Sequence, residues 1–318
     1  MIRALAITGP TASGKTSLSL FIAKHFDGEI ISCDSMQIYR EMNIGTAKAT
    51  AEEQAVVPHH LIDIVSPLES YSAQNYRADA IACAEEIVGR GKLPVFVGGT
   101  GLYIDTVMRP ISTESPESSS EYREKILASL KSDEDITALW QRLQAVDPES
   151  AEKIHKNNIQ RVIRALEIYD TTGKPKSLID KESLSAPSDV DVKMITIDFH
   201  DREKLYERVN KRVDLMIEEG LIDEVKSLYD RGLLVGKTAS QAIGYKEIVE
   251  YIEGKCSLCE AVEKLKISTR RYAKRQLTWF RHESDAVTIY ADTPDGRLKS
   301  ADELGAEAIE ICRRLLLN

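Results

Sequence analysis

Residues 9–16 read Gly-Pro-Thr-Ala-Ser-Gly-Lys-Thr, and this segment constrains the fold more than any other. It follows an apolar run over 2–7 and precedes a helical pattern over 17–24. A strand, a glycine-rich turn and a helix in this order are typical of the P-loop, G-x-x-x-x-G-K-[ST]. In a P-loop consecutive backbone N–H groups face one anion, and the helix N-terminus adds its positive dipole end. The segment predicts a P-loop-type parallel sheet flanked by helices, an α/β fold that binds a di- or triphosphate.

Two side chains of the loop have predicted roles in holding that anion. The Lys15 ammonium supplies a point charge for the outer phosphate oxygens, and the Thr16 hydroxyl suits Mg²⁺. The simpler alternative is a turn that only connects strand and helix, which the flanking pattern disfavours. The predicted phosphate-binding residues of the loop are Gly9, Thr11, Ala12, Ser13, Gly14, Lys15 and Thr16.

A second buried strand, predicted over 29–33, ends at Asp34. Ligands of a doubly wound parallel sheet bind outside the carboxyl ends of its strands, so Asp34 should lie at the same edge as the P-loop. Its carboxylate would be a general base or a hydrogen-bond acceptor for a second substrate. Gln37 and Arg40, which can grip a base edge or a phosphate, favour this role over the alternative of a helix N-cap.

The strand predicted over 93–97 ends in Gly98-Gly-Thr-Gly101. Glycines allow a close approach of the backbone to a ligand, and Thr100 is the one side chain there that can donate a hydrogen bond. The alternative interpretation is a tight turn between strand and helix.

Arg208 and Arg212 lie four residues apart on a predicted helix, so they share one face. They could form a lid that neutralises phosphates. Alternatively, they belong to a lattice of surface ion pairs with Glu203, Glu207 and Glu218.

The net charge of −9 argues at first against a nucleic-acid partner, but the charge is unevenly distributed. Between Lys264 and Arg281 there are seven basic residues and no acidic one, interleaved with three aromatic residues. Such a helix suits backbone phosphates and the stacking of an unpaired base. The alternative is a solvated basic face with an aromatic side chain turned to the core.

The chain of 318 residues is long enough for one large α/β domain and a smaller one. An exposed linker is predicted over 111–120 and a polar, poorly ordered stretch over 176–190. We therefore expect a catalytic core of residues 1–110 and 191–318, interrupted by a helical insertion of residues 111–190. Helices are predicted in the insertion over 121–130, 136–146 and 151–170, and further core strands over 61–65, 192–199 and 286–290.

Five cysteines at irregular spacing do not indicate a disulfide framework. Cys256 and Cys259 resemble half of a zinc or redox site, but Ser257 followed by Glu260 fits a helix capping box better. No apolar stretch is long enough for a membrane span, and the N-terminus runs directly into the first strand. We expect a cytoplasmic protein.

Six segments, in this order along nearly the whole chain, resemble motifs of the tRNA dimethylallyltransferases, also called tRNA isopentenyltransferases. One departure is Lys156, where the family often has a proline after His155; it affects only the start of a helix. The six segments are Gly9–Thr16, Asp34-Ser-Met-Gln-Ile-Tyr-Arg40, Gly98-Gly-Thr-Gly-Leu-Tyr103, Asn158-Ile-Gln-Arg-Val-Ile-Arg-Ala-Leu-Glu167, Gly244-Tyr245 and Lys274-Arg-Gln-Leu-Thr-Trp-Phe-Arg281.

The resemblance implies transfer of the dimethylallyl group from dimethylallyl diphosphate to N6 of the tRNA adenosine immediately 3′ of the anticodon. The P-loop would hold the diphosphate with Mg²⁺, and Arg208 or Arg212 would help to stabilise it as a leaving group. Asp34 would accept the proton of the amine, and Thr100 would hydrogen-bond near the bridging oxygen. No partner subunit is implied, so we expect a monomer.

In this interpretation the adenosine is flipped out of the anticodon loop to reach the site. The insertion and the basic helix would hold the anticodon arm, largely through phosphates and shape. The implied tRNA-binding residues are Asp34, Ser35, Met36, Gln37, Asn158, Gln160, Arg161, Arg164, Arg271, Lys274, Arg275 and Trp279.

Three other functions share parts of this pattern. An ATP-dependent small-molecule phosphotransferase would want a Walker-B aspartate, but the strand over 93–97 ends in Gly-Gly-Thr. An enzyme that prenylates free adenine nucleotides would not require the basic helix or the insertion. A GTPase switch would want an N-K-x-D motif, and Asn210-Lys-Arg-Val-Asp214 has one residue too many.

Overall fold

The computed structural model describes residues 1–109, 119–185, 188–236, 238–283 and 285–317, and the predicted linker over 111–120 lies mostly outside them. The chain divides into two compact units, residues 1–108 together with 189–318, and residues 109–188. The first unit contains the sheet, and the second is helical.

The first unit is built on a six-stranded sheet in which all strand pairs are parallel, and this confirms the predicted α/β fold. The spatial order is β3-β2-β4-β1-β5-β6, so β1 lies inside the sheet. Leu5 of β1 is paired with Val95 of β4 on one side and with Lys193 of β5 on the other. The strands are β1 (Ile2–Thr8), β2 (Gly28–Cys33), β3 (His59–His60), β4 (Leu93–Gly98), β5 (Val190–Asp198) and β6 (Ala286–Tyr290).

Helices cover both faces of this sheet, and α5 to α9 form the second unit. In chain order they are α1 (Lys15–His25), α2 (Ala51–Val56), α3 (Ala73–Gly89), α4 (Gly101–Met108), α5 (Ser120–Ser129), α6 (Asp133–Val146), α7 (Pro148–Lys153), α8 (Ile159–Thr172), α9 (Lys176–Ser185), α10 (Arg202–Glu218), α11 (Leu221–Asp230), α12 (Tyr245–Ile252), α13 (Leu258–Phe280) and α14 (Ala301–Leu317).

Strand β1 is buried on both faces because its side chains alternate between two hydrophobic clusters. Leu5 and Ile7 pack in the cluster that contains Ile22 of α1. Ala4 and Ala6 pack in the opposite cluster, with Ala80 of α3. This burial fixes β1, and with it the start of the P-loop.

The prediction of a strand over 61–65 is wrong. The edge strand consists of His59 and His60, which pair with Ile30 and Ile31 of β2. The strand ends at His60, because Leu61 has a positive φ of 58° and leaves the extended conformation. The His60 ring bonds to the buried Glu29 carboxylate at 2.7 Å, so it has a structural partner.

The prediction of one continuous helix over 151–170 is also wrong, because this segment contains parts of two helices, α7 and α8. The chain becomes extended at Ile154 (φ −107°, ψ 109°), and the Ile154 carbonyl accepts a hydrogen bond from the Trp140 indole at 2.9 Å. This tertiary bond stabilises a break that the hydrophobic period does not indicate.

The stretch predicted as poorly ordered over 176–190 contains helix α9. Its first turn is fixed by Asp147, which accepts hydrogen bonds from the Ser177 backbone at 2.9 Å and hydroxyl at 2.6 Å. Lys176 and Asp180 pair along the helix. The polar composition does not indicate the Asp147 contact, because that residue lies 30 positions earlier in the chain.

The capping-box prediction for Ser257 is confirmed. Ser257 accepts from the Glu260 backbone N–H, and the Glu260 carboxylate accepts from the Ser257 N–H, at the start of α13. Among the helices described, none combines the length and apolar character needed to cross a membrane.

Candidate active site

The P-loop after β1, Asp34 after β2 and Gly98–Gly99 at the end of β4 meet at the carboxyl edge of the sheet, as expected for parallel strands. They enclose a cavity of about 500 Å³. Helix α13 contributes a further wall through seven residues between Leu265 and Gln276. Of the predicted site residues, the cavity is lined by Thr11, Lys15, Thr16, Asp34, Ser35, Met36, Gln37, Arg212, Arg271 and Arg275.

The P-loop has the backbone of an anion cradle. Gly14 adopts a left-handed conformation with φ 97°, which a side chain would strain, and it precedes α1 without a side-chain cap. The first N–H groups of α1 are therefore left for a ligand. The buried Ser13 hydroxyl in the same loop has no hydrogen-bond partner among the described residues.

Lys15 lies against the cavity and donates a hydrogen bond to the Pro10 carbonyl at 2.7 Å. The pKa of its ammonium is lowered from 10.5 to about 7, mainly by burial and also by the Arg212 guanidinium, whereas Asp34 raises it. A diphosphate beside Lys15 would restore the charged form, because an opposite charge favours it.

Arg208 and Arg212 lie on the face of α10 that is turned to the P-loop. The alternative prediction, a lattice of surface ion pairs with glutamates, is wrong. Arg208 donates to the Ala12 carbonyl at 2.7 Å. Arg212 lines the cavity, and burial lowers the pKa of its guanidinium while Asp34 raises it. Neither arginine pairs with a carboxylate within 4 Å among the residues that the structure describes.

Asp34 closes a turn and does not cap a helix. Its Oδ1 accepts hydrogen bonds from the backbone N–H groups of Met36 at 2.8 Å and Gln37 at 3.4 Å. No helix begins at this turn, so the alternative prediction of Asp34 as a helix N-cap is wrong. These bonds fix the carboxylate, and within the described part of the chain Oδ2 has no such partner.

Thr100 connects the turn after β4 to the turn after β2. Its Oγ1 accepts from the Ser35 backbone N–H at 3.1 Å, and its own N–H donates to the Cys33 carbonyl at 3.2 Å. Thr100 thus meets the cavity wall through Ser35, and its predicted contact with a bridging oxygen stays a prediction.

The side-chain donors of Gln37 and Arg40 bond to backbone carbonyls of the protein and not to a ligand in the cavity. The Gln37 amide donates to the carbonyls of Thr46 and Ala47, both at 3.2 Å, although its side chain lines the wall. Arg40 donates to the Asp63 and Ile64 carbonyls on the exposed side of the unit. Both are held by backbone groups that sequence spacing does not reveal.

Gln276 is the site residue that the sequence pattern missed. It is 5% exposed, its Oε1 accepts from the Thr11 N–H at 2.8 Å, and its Nε2 donates to the Gly99 carbonyl at 2.8 Å. Tyr272, one turn earlier, also lines the cavity, and burial raises the pKa of its hydroxyl. A glutamine within a basic run was the available signal.

The basic segment is not a uniform positive stripe. Lys264 pairs with Glu250 at 2.7 Å, Lys266 with Asp214 at 2.7 Å, and Arg281 with Asp198 at 2.8 Å. The exposed face that remains consists of Arg271, Lys274 and Arg275, which have no acidic partner among the described residues.

The aromatic residues of α13 pack inward, which favours the alternative of aromatics turned to the core. The Trp279 indole is partly buried directly against Gly101, where a Cβ would lie 2.3 Å from the ring. Phe280 is 2% exposed and meets Trp279 edge-on at 5.0 Å. Stacking of a base on Trp279 stays a prediction.

In the second unit, the predicted tRNA-binding residues lie at the start of α8. Asn158, Gln160 and Arg161 are exposed. Arg164 is partly buried and pairs with the buried Glu167 at 2.8 Å, so it is part of the packing of this unit.

The residues present fit a magnesium ion that arrives with a diphosphate. No three His, Cys, Asp or Glu side chains cluster as metal ligands in the part of the chain that is described. The exposed Thr16 hydroxyl and Asp34 both face the cavity. Mg²⁺ takes few protein oxygens and completes its shell with phosphates and water, as this donor set requires.

A family model described as IPP transferase matches residues 37–283, and one described as Isopentenyl transferase matches residues 2–63. The tRNA dimethylallyltransferase of Thermoanaerobacter sp. (strain X514) is 50% identical over 281 residues, which cover 88% of this chain and 89% of the relative. The tRNA dimethylallyltransferase of Shouchella clausii (strain KSM-K16) is 47% identical over 302 residues, 95% of this chain and 96% of the relative.

Solved structures give the same result. The tRNA delta(2)-isopentenylpyrophosphate transferase of Staphylococcus epidermidis aligns with a TM-score of 0.70 and 40% identity, covering 99% of this chain and 100% of the other. A eukaryotic dimethylallyltransferase acting on tRNA aligns with a TM-score of 0.75 and 31% identity, covering 91% and 74%. The family model and these relatives thus agree, and this chain belongs to the tRNA dimethylallyltransferase (IPP transferase) family of tRNA-prenylating enzymes.

Proposed function

We propose that this transferase moves the dimethylallyl group of dimethylallyl diphosphate to N6 of the tRNA adenosine immediately 3′ of the anticodon and releases diphosphate. The observation that carries the proposal is that the P-loop and Asp34 open onto one cavity of about 500 Å³. The P-loop, which would bind the leaving diphosphate, and Asp34, which would accept the proton, therefore face the same cavity in which the allylic carbon is transferred.

The leaving group is stabilised by the P-loop side of the cavity. As the allylic C–O bond breaks, negative charge develops on the diphosphate. The N–H groups at the start of α1, the Lys15 ammonium and the Arg212 guanidinium face that charge. Fixed donors and charges in a site shielded from water stabilise such a transition state strongly.

Asp34 acts on the acceptor. The adenine amine forms the new N–C bond to the allylic carbon, and its proton passes to the Asp34 carboxylate. Because Met36 and Gln37 hold Oδ1 through backbone N–H groups, the carboxylate keeps its orientation. Thr100 supports this arrangement through Ser35.

The Thr16 hydroxyl would hold Mg²⁺ together with the diphosphate, and the ion would supply positive charge that stabilises the departing anion. Lys15 precedes Thr16 in the chain and also lines the cavity. We propose that transfer requires both the charge of Mg²⁺ and the charge of the Lys15 ammonium.

The RNA is held by shape and phosphate contacts. The exposed Arg271, Lys274 and Arg275 suit the backbone of the anticodon arm, and Asn158, Gln160 and Arg161 of the second unit suit a further part of it. The adenosine leaves its stack to present N6, since the amine cannot reach the site while its base is stacked in the loop. We propose that the enzyme acts as a monomer in the cytoplasm, where its tRNA substrate is found.

The test is transfer of labelled dimethylallyl groups to unmodified tRNA, followed by digestion to locate the modified nucleoside. We expect label on the adenosine next to the anticodon, and a fall in rate of about 10²–10⁴-fold for Asp34→Asn. Asp27→Asn, an exposed carboxylate in the turn before β2, is the matched control. Label on free adenine nucleotides but not on tRNA, or ATP hydrolysis without transfer, would establish one of the rival functions instead.

A further inference from the structure

Residues 42–48, the wall loop, follow β2 and form one side of the cavity through Gly45, Thr46 and Ala47. The loop has an unusual backbone, since Ala47 has a positive φ of 45° and Glu41, just before it, a positive φ of 65°. Non-glycine residues keep such conformations only when their surroundings fix them.

Glu224 of α11 binds the wall loop through three consecutive backbone N–H groups. Its Oε2 accepts from Asn43 at 2.9 Å and from Ile44 at 2.8 Å, and its Oε1 accepts from Gly45 at 3.1 Å. Hydrogen bonds to a carboxylate are among the stronger ones in proteins. The loop therefore wraps around a side chain that lies 179 residues or more away in sequence.

Tyr245 completes this contact. Its hydroxyl donates to Glu224 Oε1 at 2.6 Å, and its ring packs against Gly45, where a Cβ would meet the ring at 2.5 Å. Tyr245 is fully buried. This explains a glycine in the loop and gives a physical role to the Gly244-Tyr245 segment, for which the sequence pattern indicated none.

The opposite side of the wall loop is joined to the turn that carries Asp34. The Gln37 amide donates to the Thr46 and Ala47 carbonyls, and Gln37 also donates its backbone N–H to Asp34. The loop thus connects the Glu224–Tyr245 pair to the carboxylate side of the cavity, whereas the P-loop is held by other residues, Arg208 and Gln276.

We propose that Glu224 and Tyr245 are positioning residues for the acceptor: they fix the wall loop so that the adenosine is oriented against Asp34. The proposal rests on the proposed function, because it assigns the Asp34 side of the cavity to the acceptor. It places the effect of the pair on the transfer step and not on binding of the diphosphate.

The test compares Glu224→Gln, Tyr245→Phe and the double variant in the full-length enzyme. Hydrogen–deuterium exchange at the amides of 43–45 should quicken about tenfold or more in Glu224→Gln, since local opening becomes easier. The single-turnover rate at saturating tRNA should fall about tenfold to a hundredfold, as for a small misplacement of a reactant. Affinity and stoichiometry for inorganic diphosphate should stay at the wild-type values.

The double variant should be no slower than Glu224→Gln, because Tyr245 acts on the loop through Glu224. Asp223→Asn, the exposed neighbour on α11, and Tyr229→Phe, which removes a tyrosine–glutamate bond elsewhere, should behave as wild type. Unchanged exchange at 43–45, an unchanged rate per diphosphate-binding molecule, or a parallel loss of diphosphate affinity would each overturn the proposal. A wild-type enzyme that binds diphosphate but never prenylates tRNA would refute the proposed function, and the exchange measurement would still decide whether the pair holds the loop.

Discussion

The side-chain oxygen of Gln276 accepts a hydrogen bond from the backbone N–H of Thr11 at 2.8 Å, which ties helix α13 to the P-loop. The nitrogen of the same amide donates to the Gly99 carbonyl at 2.8 Å. One buried side chain thus joins three segments that arise far apart in the chain. Because α13 also exposes Arg271 and Arg275 at the cavity, the anion cradle is hydrogen-bonded to the helix that carries the basic face.

Replacement of Gln276 by alanine should affect both stability and the anion site. The Thr11 N–H and the Gly99 carbonyl would lose their partner in a buried place, at a cost of about 1–3 kcal/mol for each unsatisfied group. We expect a lower midpoint in chemical unfolding and about tenfold weaker binding of diphosphate by calorimetry. Thr278→Ala on the exposed side of α13 is the control. Wild-type diphosphate affinity in a folded Gln276→Ala variant would contradict this role.

The local part of the site could be predicted from sequence because its chemistry is encoded by adjacent residues. The P-loop needs glycine at a left-handed position, a lysine and a hydroxyl in eight consecutive residues, and Gly14, Lys15 and Thr16 supply them. The position of Asp34 followed from the rule that parallel strands end at one edge. Neither inference required a tertiary contact.

Tertiary pairing is what the pattern could not supply. The sequence predicts a continuous basic stripe over 264–281. In the structure Glu250, Asp214 and Asp198, which lie on other elements, neutralise three of its cations. Gln276 and Tyr245 are also defined by partners more than 20 residues away. Spacing along one helix identifies a shared face, not the element that packs against it.

Lys15 should make diphosphate binding depend on pH. Its pKa is lowered to about 7 in the folded protein, so between pH 7 and the usual 10.5 the unfolded chain holds a proton that the folded chain has released. The free energy of unfolding therefore rises with pH across this window for this group. A bound anion reverses the shift, so binding at pH 8 should take up a proton, and affinity should fall as pH rises above 7.

Calorimetry in buffers of different ionisation enthalpy measures that proton. Uptake at pH 8 should be larger for the wild type than for Lys15→Met, which has no ammonium to recharge. Equal uptake by the two proteins would show that Lys15 is already protonated in the free enzyme.

Arg212→Ala should slow prenyl transfer more than it weakens substrate binding. The guanidinium is buried at the cavity and faces the anion that develops during C–O cleavage, a position at which one donor contributes about 10²–10³-fold in kcat. Its removal should also raise the pKa of Lys15, because a like charge is lost. Lys211→Ala, the exposed neighbour with the same charge, is the control. A larger change in KM than in kcat would count against the assignment.

The salt dependence of tRNA affinity should distinguish the cations of α13 that face solvent from those that form ion pairs. Arg271, Lys274 and Arg275 are exposed without an acidic partner in the described chain, and each phosphate contact contributes about 0.7–0.9 to the slope of log affinity against log salt. Alanine at any of the three should reduce the slope for tRNA binding by about that amount. Lys264→Ala and Lys266→Ala should leave it almost unchanged, because Glu250 and Asp214 already neutralise these lysines. If all five variants shift the slope equally, the tRNA competes successfully with the ion pairs, and the RNA-binding face extends along the whole helix.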